Sequence, residues 1–198
     1  MLAAVGCSVS VLLGGCGTAP AQLIRAPLND LVLTVAELPY PGFVVEHGSP
    51  SAGYYSNQRA AGKNTALLRK LEKAGRQGGY EADFNRSASP QQAVGPVVIE
   101  SSATRYRTAS GAKQGLSLVA QQAVAAGGTA ISTGTLGDQA VGFMLVRQFS
   151  GTSYEAYIVA WRQANIVGGI QVEGNAATLD IQYAISLATI QQRQIESR

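Results

Sequence analysis

The sequence predicts an α+β domain, a largely antiparallel sheet with about three helices packed mainly on one face. Three observations lead there. Short segments alternate apolar and polar residues, as in Tyr80-Glu81-Ala82-Asp83-Phe84, the period-two signature of a half-buried strand. Longer segments place apolar residues at helical spacing, as in Leu67, Leu68, Leu71 and Ala74. Neighbouring strands follow one another through short polar turns, which joins them as hairpins rather than as parallel crossovers.

The elements read in order β-β-α-β-β-α-β-β-β-α. Residues 30–38 alternate through Leu31, Leu33 and Val35 as a short strand, and Pro39 and Pro41 then hold the chain extended or turning. A second short strand is expected over 43–46, with a loop at 47–51. The first helix spans 58–76, its apolar side opposite Lys63, Arg69, Lys70, Lys73 and Arg76, with Gly78-Gly79 as the stop. Strands follow at 80–85 and 97–107, where Val97, Ile99, Ser101 and Ala103 share a face. Thr108 to Ser110 cap a helix reaching about Ala126, with Ala112, Leu116, Val119, Ala120 and Ala123 inward and Gly111 and Gly115 marking close packing on the sheet. After a loop at 129–138 come a strand at 139–149 and the clearest hairpin, 154–163 with 165–173, where Asn165 is the residue suited to a left-handed turn. Thr178 caps a last helix with a broad stripe from Ile181 to Ile190.

The N-terminal residues give an address. Residues 1–15 hold no charged side chain, and Val9, Val11, Leu12 and Leu13 form an apolar run shorter than the roughly 20 residues a membrane span needs. Leu13-Gly14-Gly15-Cys16 has the form of a bacterial lipoprotein processing site, in which the cysteine is lipidated after cleavage. No Lys or Arg precedes the run, and Ala4-Val5-Gly6-Cys7 is a second, poorer site. A buried N-terminal helix or strand is the competing reading. The expected organisation is a signal peptide at 1–15, a flexible tether at 16–29 and a single domain at 30–198. Lipid on Cys16 would leave the processed chain without a free thiol, which excludes disulfides, thiol catalysis and cysteine-ligated metals.

Composition narrows the partners. A formal charge of +3 from fifteen basic and twelve acidic residues is too small and dispersed for a nucleic-acid surface. Charged residues make up only 14%, with Gln, Ser, Thr, Asn and Gly on the surface instead, a pattern that suits export.

The motifs that could carry chemistry are incomplete. His47 is the sole histidine, too few for a His-based zinc site, and no G-x-S-x-G elbow accompanies it. Ser110-Gly111-Ala112-Lys113 matches S-x-x-K without the S-D-N and K-T-G elements that pattern requires. The glycines from Gly128 to Gly134 lack the Gly-Lys-Ser/Thr of a phosphate loop. Glu81 and Asp83 share one strand face and read as solvent-facing. The binding candidates are therefore aromatic and basic: Tyr40, Tyr54 and Tyr55 in loops before the first helix, Trp161 on the hairpin, either lining a pocket or under a helix, and Lys70 and Lys73 on the basic helix. No catalytic residue, metal ligand or cofactor is assigned.

Ser101-Ser102-Ala103-Thr104-Arg105-Tyr106 ahead of Ala109-Ser110-Gly111-Ala112, then Leu136-Gly137-Asp138-Gln139-Ala140, then Trp161-Arg162-Gln163-Ala164-Asn165-Ile166-Val167 resemble bacterial cell-envelope lipoproteins and the extracytoplasmic sensor-type domains of mycobacterial membrane serine/threonine kinases. Leu31-Val32-Leu33-Thr34, Glu37-Leu38-Pro39 and Gly42-Phe43 resemble the opening of related lipoproteins. The resemblance covers about half the chain and implies a non-enzymatic envelope protein that binds a ligand or partner. The kinase domains carry disulfides that this chain lacks.

The expected function is a lipid-anchored extracytoplasmic binding or sensing domain on the outer face of the cytoplasmic membrane, held there by lipid on Cys16. Its partner would be a small molecule, an envelope protein or an anionic envelope polymer. The alternatives are an envelope hydrolase and a scaffold for a membrane enzyme that docks through the basic helix.

Overall fold

The computed structural model describes residues 22–46, 52–87, 94–149 and 152–198. Cys16 and His47 lie outside the described residues. Eight strands form one sheet, β1 (Phe43–Val45), β2 (Gly53–Tyr55), β3 (Arg76–Arg86), β4 (Pro96–Tyr106), β5 (Thr129–Ile131), β6 (Gln139–Phe149), β7 (Thr152–Gln163) and β8 (Ile166–Asn175). Their order is β1-β3-β4-β8-β7-β6-β5, with β2 also on β3, and every pairing is antiparallel. The helices are α1 (Asn57–Ala61), α2 (Thr65–Lys73), α3 (Ala109–Ala125) and α4 (Ile181–Glu196).

Strand alternation distributes two cores. Ile99 and Ala103 of β4, Val159 and Trp161 of β7 and Ile170 and Val172 of β8 point to the side covered by α4, where they meet Ala184, Leu187 and Ala188. Tyr106, Ala160 and Val167 point the other way and meet Ala112 and Leu116 of α3. Ala123 continues that core over Phe143, Leu145 and Ala156. Helices α1 and α2 pack through Ala61 and Leu71 against Leu118, beside α3. Three α-helices thus share one face, and α4 covers the opposite one.

Several boundaries differ from the sequence reading. The expected first helix is two, because Gly62 turns left-handed with φ +55° and Asn64 restarts the helix by accepting a hydrogen bond from the Leu67 amide at 3.0 Å. Helix α2 stops at Lys73, and Gly78 and Gly79 lie within β3 instead of ending a helix. The last helix is capped by Asp180, which accepts from the Gln182 amide at 2.8 Å, rather than by Thr178. Residues 30–38 are not a strand. They carry the 3-10 turns Leu28–Leu31 and Val35–Glu37, and consecutive Leu31, Val32 and Leu33 are all buried.

Side chains from other elements satisfy the backbone of that irregular segment. The Leu33 amide donates to Ser101 Oγ at 2.9 Å, and Gln191 Nε2 donates to Leu31 O at 2.9 Å. Buried Asn165 accepts from the Ile24 amide at 2.7 Å and donates to Ile24 O and Tyr106 O. Ile24 and Leu28 are buried, so the packed domain begins within the stretch expected to be a tether. Asn165 is occupied by this contact, and the left-handed turn residue is its neighbour Ala164, with φ +50°.

Candidate functional site

Antiparallel pairing aligns side chains across the sheet on the α3 side. One row runs Asp83, Glu100, Gln171, Ile158 and Phe143 across β3, β4, β8, β7 and β6. The next runs Glu81, Ser102, Gly169, Ala160 and Val141. Helix α3 covers the apolar end of both rows and leaves the polar end as the floor of a cleft.

The cleft has two adjoining parts that share Glu81, Val119 and Gln122. The larger, about 440 Å³, has Glu100, Ser102 and Gln171 on its floor and Leu145, Ile158 and Ala123 on its apolar wall. The smaller, about 320 Å³, is bounded by Tyr55, Arg76, Thr104 and Tyr106. Both are within the size of small-molecule sites, which join apolar walls to a few polar groups.

Burial sets the electrostatics. Burial pushes the Glu100 carboxyl up to about 7, and the negative charges of Glu81, Asp83 and Glu173 push the same way against the pull of Arg147. Tyr106, buried under α3, has its phenol pushed up to about 12 by desolvation. Among the described residues, no three acids are placed to hold a metal ion. The floor therefore presents a carboxyl whose neutral form burial favours, beside the Gln171 amide and the Ser102 hydroxyl.

The expected binding residues do not converge. Tyr54 and Tyr55 lie on β2, and adjacent strand residues face opposite ways. Tyr55 enters the cleft with its ring 4.7 Å from the Arg76 guanidinium and its hydroxyl 3.3 Å from Thr104 Oγ1. It fits because Gly79 is bare; a Cβ there would overlap the ring. Tyr54 points to the other side, edge-on to Tyr80 at 4.8 Å, and donates to Asn29 Oδ1 at 2.7 Å. Tyr40 packs edge-on against Tyr183 of α4 at 5.1 Å. Trp161 is 0% exposed on the α4 side, against bare Gly168, and offers no surface to a ligand. Lys70 and Lys73 are exposed on α2, beside Gln114 and Ser117 of α3.

Sequence reasoning missed the floor. Glu100, Ser102 and Thr104 alternate with the apolar face of β4, a signal that was legible, but their burial depends on β4 being central. Glu81 and Asp83 were expected to face solvent; Glu81 is half-buried, bordering the cleft with Val119 and Gln122 of α3, and Asp83 is only 3% exposed.

Two of the stretches that carry the resemblance, 136–140 and 161–167, meet in space. Asp138 forms a 2.7 Å ion pair with Arg162 and accepts from the Ala164 amide at 3.0 Å, so the Leu136-Gly137-Asp138 turn locks the β7–β8 turn. Their role is architectural.

No protein-family model matches the sequence, and no curated protein matches it by sequence. Its structure is similar to the crystal structure of the extracellular domain of PknH from Mycobacterium tuberculosis, with a TM-score of 0.59 and 10% identity, covering 92% of this chain and 100% of that one. Among the described residues no helix is long and apolar enough to cross a membrane. The chain therefore has an α+β fold similar to that of the PknH extracellular domain, built here around an eight-stranded antiparallel sheet.

Proposed function

We propose that the protein is a lipid-anchored extracytoplasmic domain of sensor type, which binds a small ligand in the cleft under α3 and performs no catalysis. The cleft carries this reading: a two-part cavity with a polar floor at Glu100, Ser102 and Gln171 and an apolar wall at Leu145 and Ile158. The likeness to an extracellular kinase domain supports the extracytoplasmic setting, and Leu13-Gly14-Gly15-Cys16 supports the anchor. A ligand would place a hydrogen-bonding group at Glu100 and apolar atoms against Ile158.

Fragment screening by amide NMR tests the site. Binders are expected to shift the Ser102, Gly169, Gln171 and Val119 amides together, and Gln122→Trp, at an exposed position of α3 that borders both parts of the cleft, should abolish those shifts. Binders that act elsewhere and ignore Gln122→Trp would refute the cleft. Metabolic labelling with an alkyne fatty acid tests the anchor, and label retained in Cys16→Ser would refute it.

A further inference from the structure

The strands run between two ends of unlike charge. At one end lie the start of β3, the end of β4, the β7–β8 turn, the C-terminus of α2 and the N-terminus of α3. They are joined there: the Arg107 amide donates to Gly75 O at 3.0 Å, and Asn165 donates to Tyr106 O at 3.1 Å. Arg25, Lys73, Arg107 and Lys113 are all exposed at this end, with Lys70 one turn back on α2. Of the acids here, Asp138 is paired with Arg162, Glu72 is exposed on α2, and Glu196 is exposed at the C-terminus of α4 beside exposed Arg193 and Arg198, so the basic residues still outnumber the acids. The opposite end carries Glu46, Asp83, Glu155, Glu173 and Asp180 with Arg86 and Arg147.

We infer that the end carrying Arg25, Lys73, Arg107 and Lys113 docks on an anionic phospholipid bilayer. Charge complementarity is the first argument, since basic residues close to an anionic leaflet each add attraction that fades within a Debye length. The route of the chain is the second. Ile24 is fastened to Asn165 at this end, and Gln22 and Leu23 ahead of it are exposed. Cys16 precedes Ile24 by eight residues, which span at most about 28 Å when fully extended. A lipid on Cys16 therefore holds the basic end, not the acidic one, nearest the bilayer. The inference rests on the anchored reading above only for this second argument.

The test uses the unlipidated chain from residue 16 with Cys16→Ser, which retains every described element. Flotation is compared on vesicles of phosphatidylcholine alone and with phosphatidylglycerol, at low and raised salt. The wild-type surface is expected to float with phosphatidylglycerol vesicles only, and less as salt rises. Lys73→Gln with Arg107→Gln should lower partitioning about tenfold. Lys63→Gln with Arg86→Gln, the same charge change away from this end, should stay within about twofold. Circular dichroism confirms that both double variants fold. Equal losses from the two pairs, or flotation indifferent to phosphatidylglycerol, overturn the inference. Loss of binding to soluble polyphosphate by the Lys73/Arg107 pair, without vesicle binding, would overturn it in favour of an anionic polymer. None of these outcomes bears on the cleft, whose own test is the Gln122→Trp comparison.

Discussion

Gly115 of α3 lies directly over the hydroxyl of Tyr106, so close that a Cβ at Gly115 would overlap the phenol oxygen. The contact sets the distance between α3 and β4, and with it the depth of the cleft's inner end. Gly115→Ala gains about 1 kcal/mol of helix propensity but forces a buried ring to move. A net loss of about 1–2 kcal/mol is expected in urea unfolding, and Ser117→Ala on the exposed side of the same helix should show none.

Gln191 is 0% exposed and joins three elements. Its amide donates to Leu31 O and Ser102 O, both at 2.9 Å, and accepts from Ser101 Oγ at 3.0 Å. Gln191→Leu removes all three hydrogen bonds, leaving Leu31 O without this partner and Ser101 Oγ with the Leu33 amide only. A loss of about 2–4 kcal/mol should appear as a lower denaturation midpoint at unchanged slope. Ser101→Ala is expected to cost less, about 1–2 kcal/mol.

Removing the Asn165 side chain frees the segment around Ile24. Asn165→Ala should cost about 2–3 kcal/mol, with faster hydrogen exchange at the Ile24 amide. Trypsin should also cut faster after exposed Arg25. Unchanged cleavage at Arg25 would show that Ala26 and Leu28 hold the segment without the amide.

Glu100 gives the domain a pH-dependent stability. Its folded value, about 7, lies above the ordinary 4.5, so the native state keeps a proton that the unfolded chain has released. Stability from this group is highest below the ordinary value, declines as pH rises through the interval and is lost above about 7. Glu100→Gln should flatten that slope. The variant should be more stable than wild type by on the order of 1–2 kcal/mol near pH 8, allowing for partial solvent screening, and nearly equal to it near pH 4.

The fold class was legible because alternation and helical spacing are local signals. Phe84, Ile99, Val159 and Ile170 fall on one face by counting alone, and Gly111 and Gly115 mark close packing without knowledge of the partner. Long-range pairing was not legible. The short strands β2 and β5 exist because β3 and β6 offer them edges, and Leu31 to Leu33 became a buried turn because Ser101 and Gln191 supply its missing partners. The cleft was hidden for the same reason. Glu81 and Glu100 sit 19 residues apart in sequence, and nothing local says that both lie under the overhang of α3. Tyr54 and Tyr55, neighbours in sequence, were separated by the pleat.

The fastening of Ile24 to Asn165 also defines a path for mechanical load. Asn165 lies in the turn joining β7 to β8 and also holds Tyr106 at the end of β4, and all three are interior strands of the sheet. A pull on Ile24 is delivered through its two hydrogen bonds with Asn165 to the middle of the sheet rather than to an edge strand. Tension on the chain would first undo the Ile24 contacts, lengthening the slack by a few residues while the cleft, further along β4 and β8, keeps its shape.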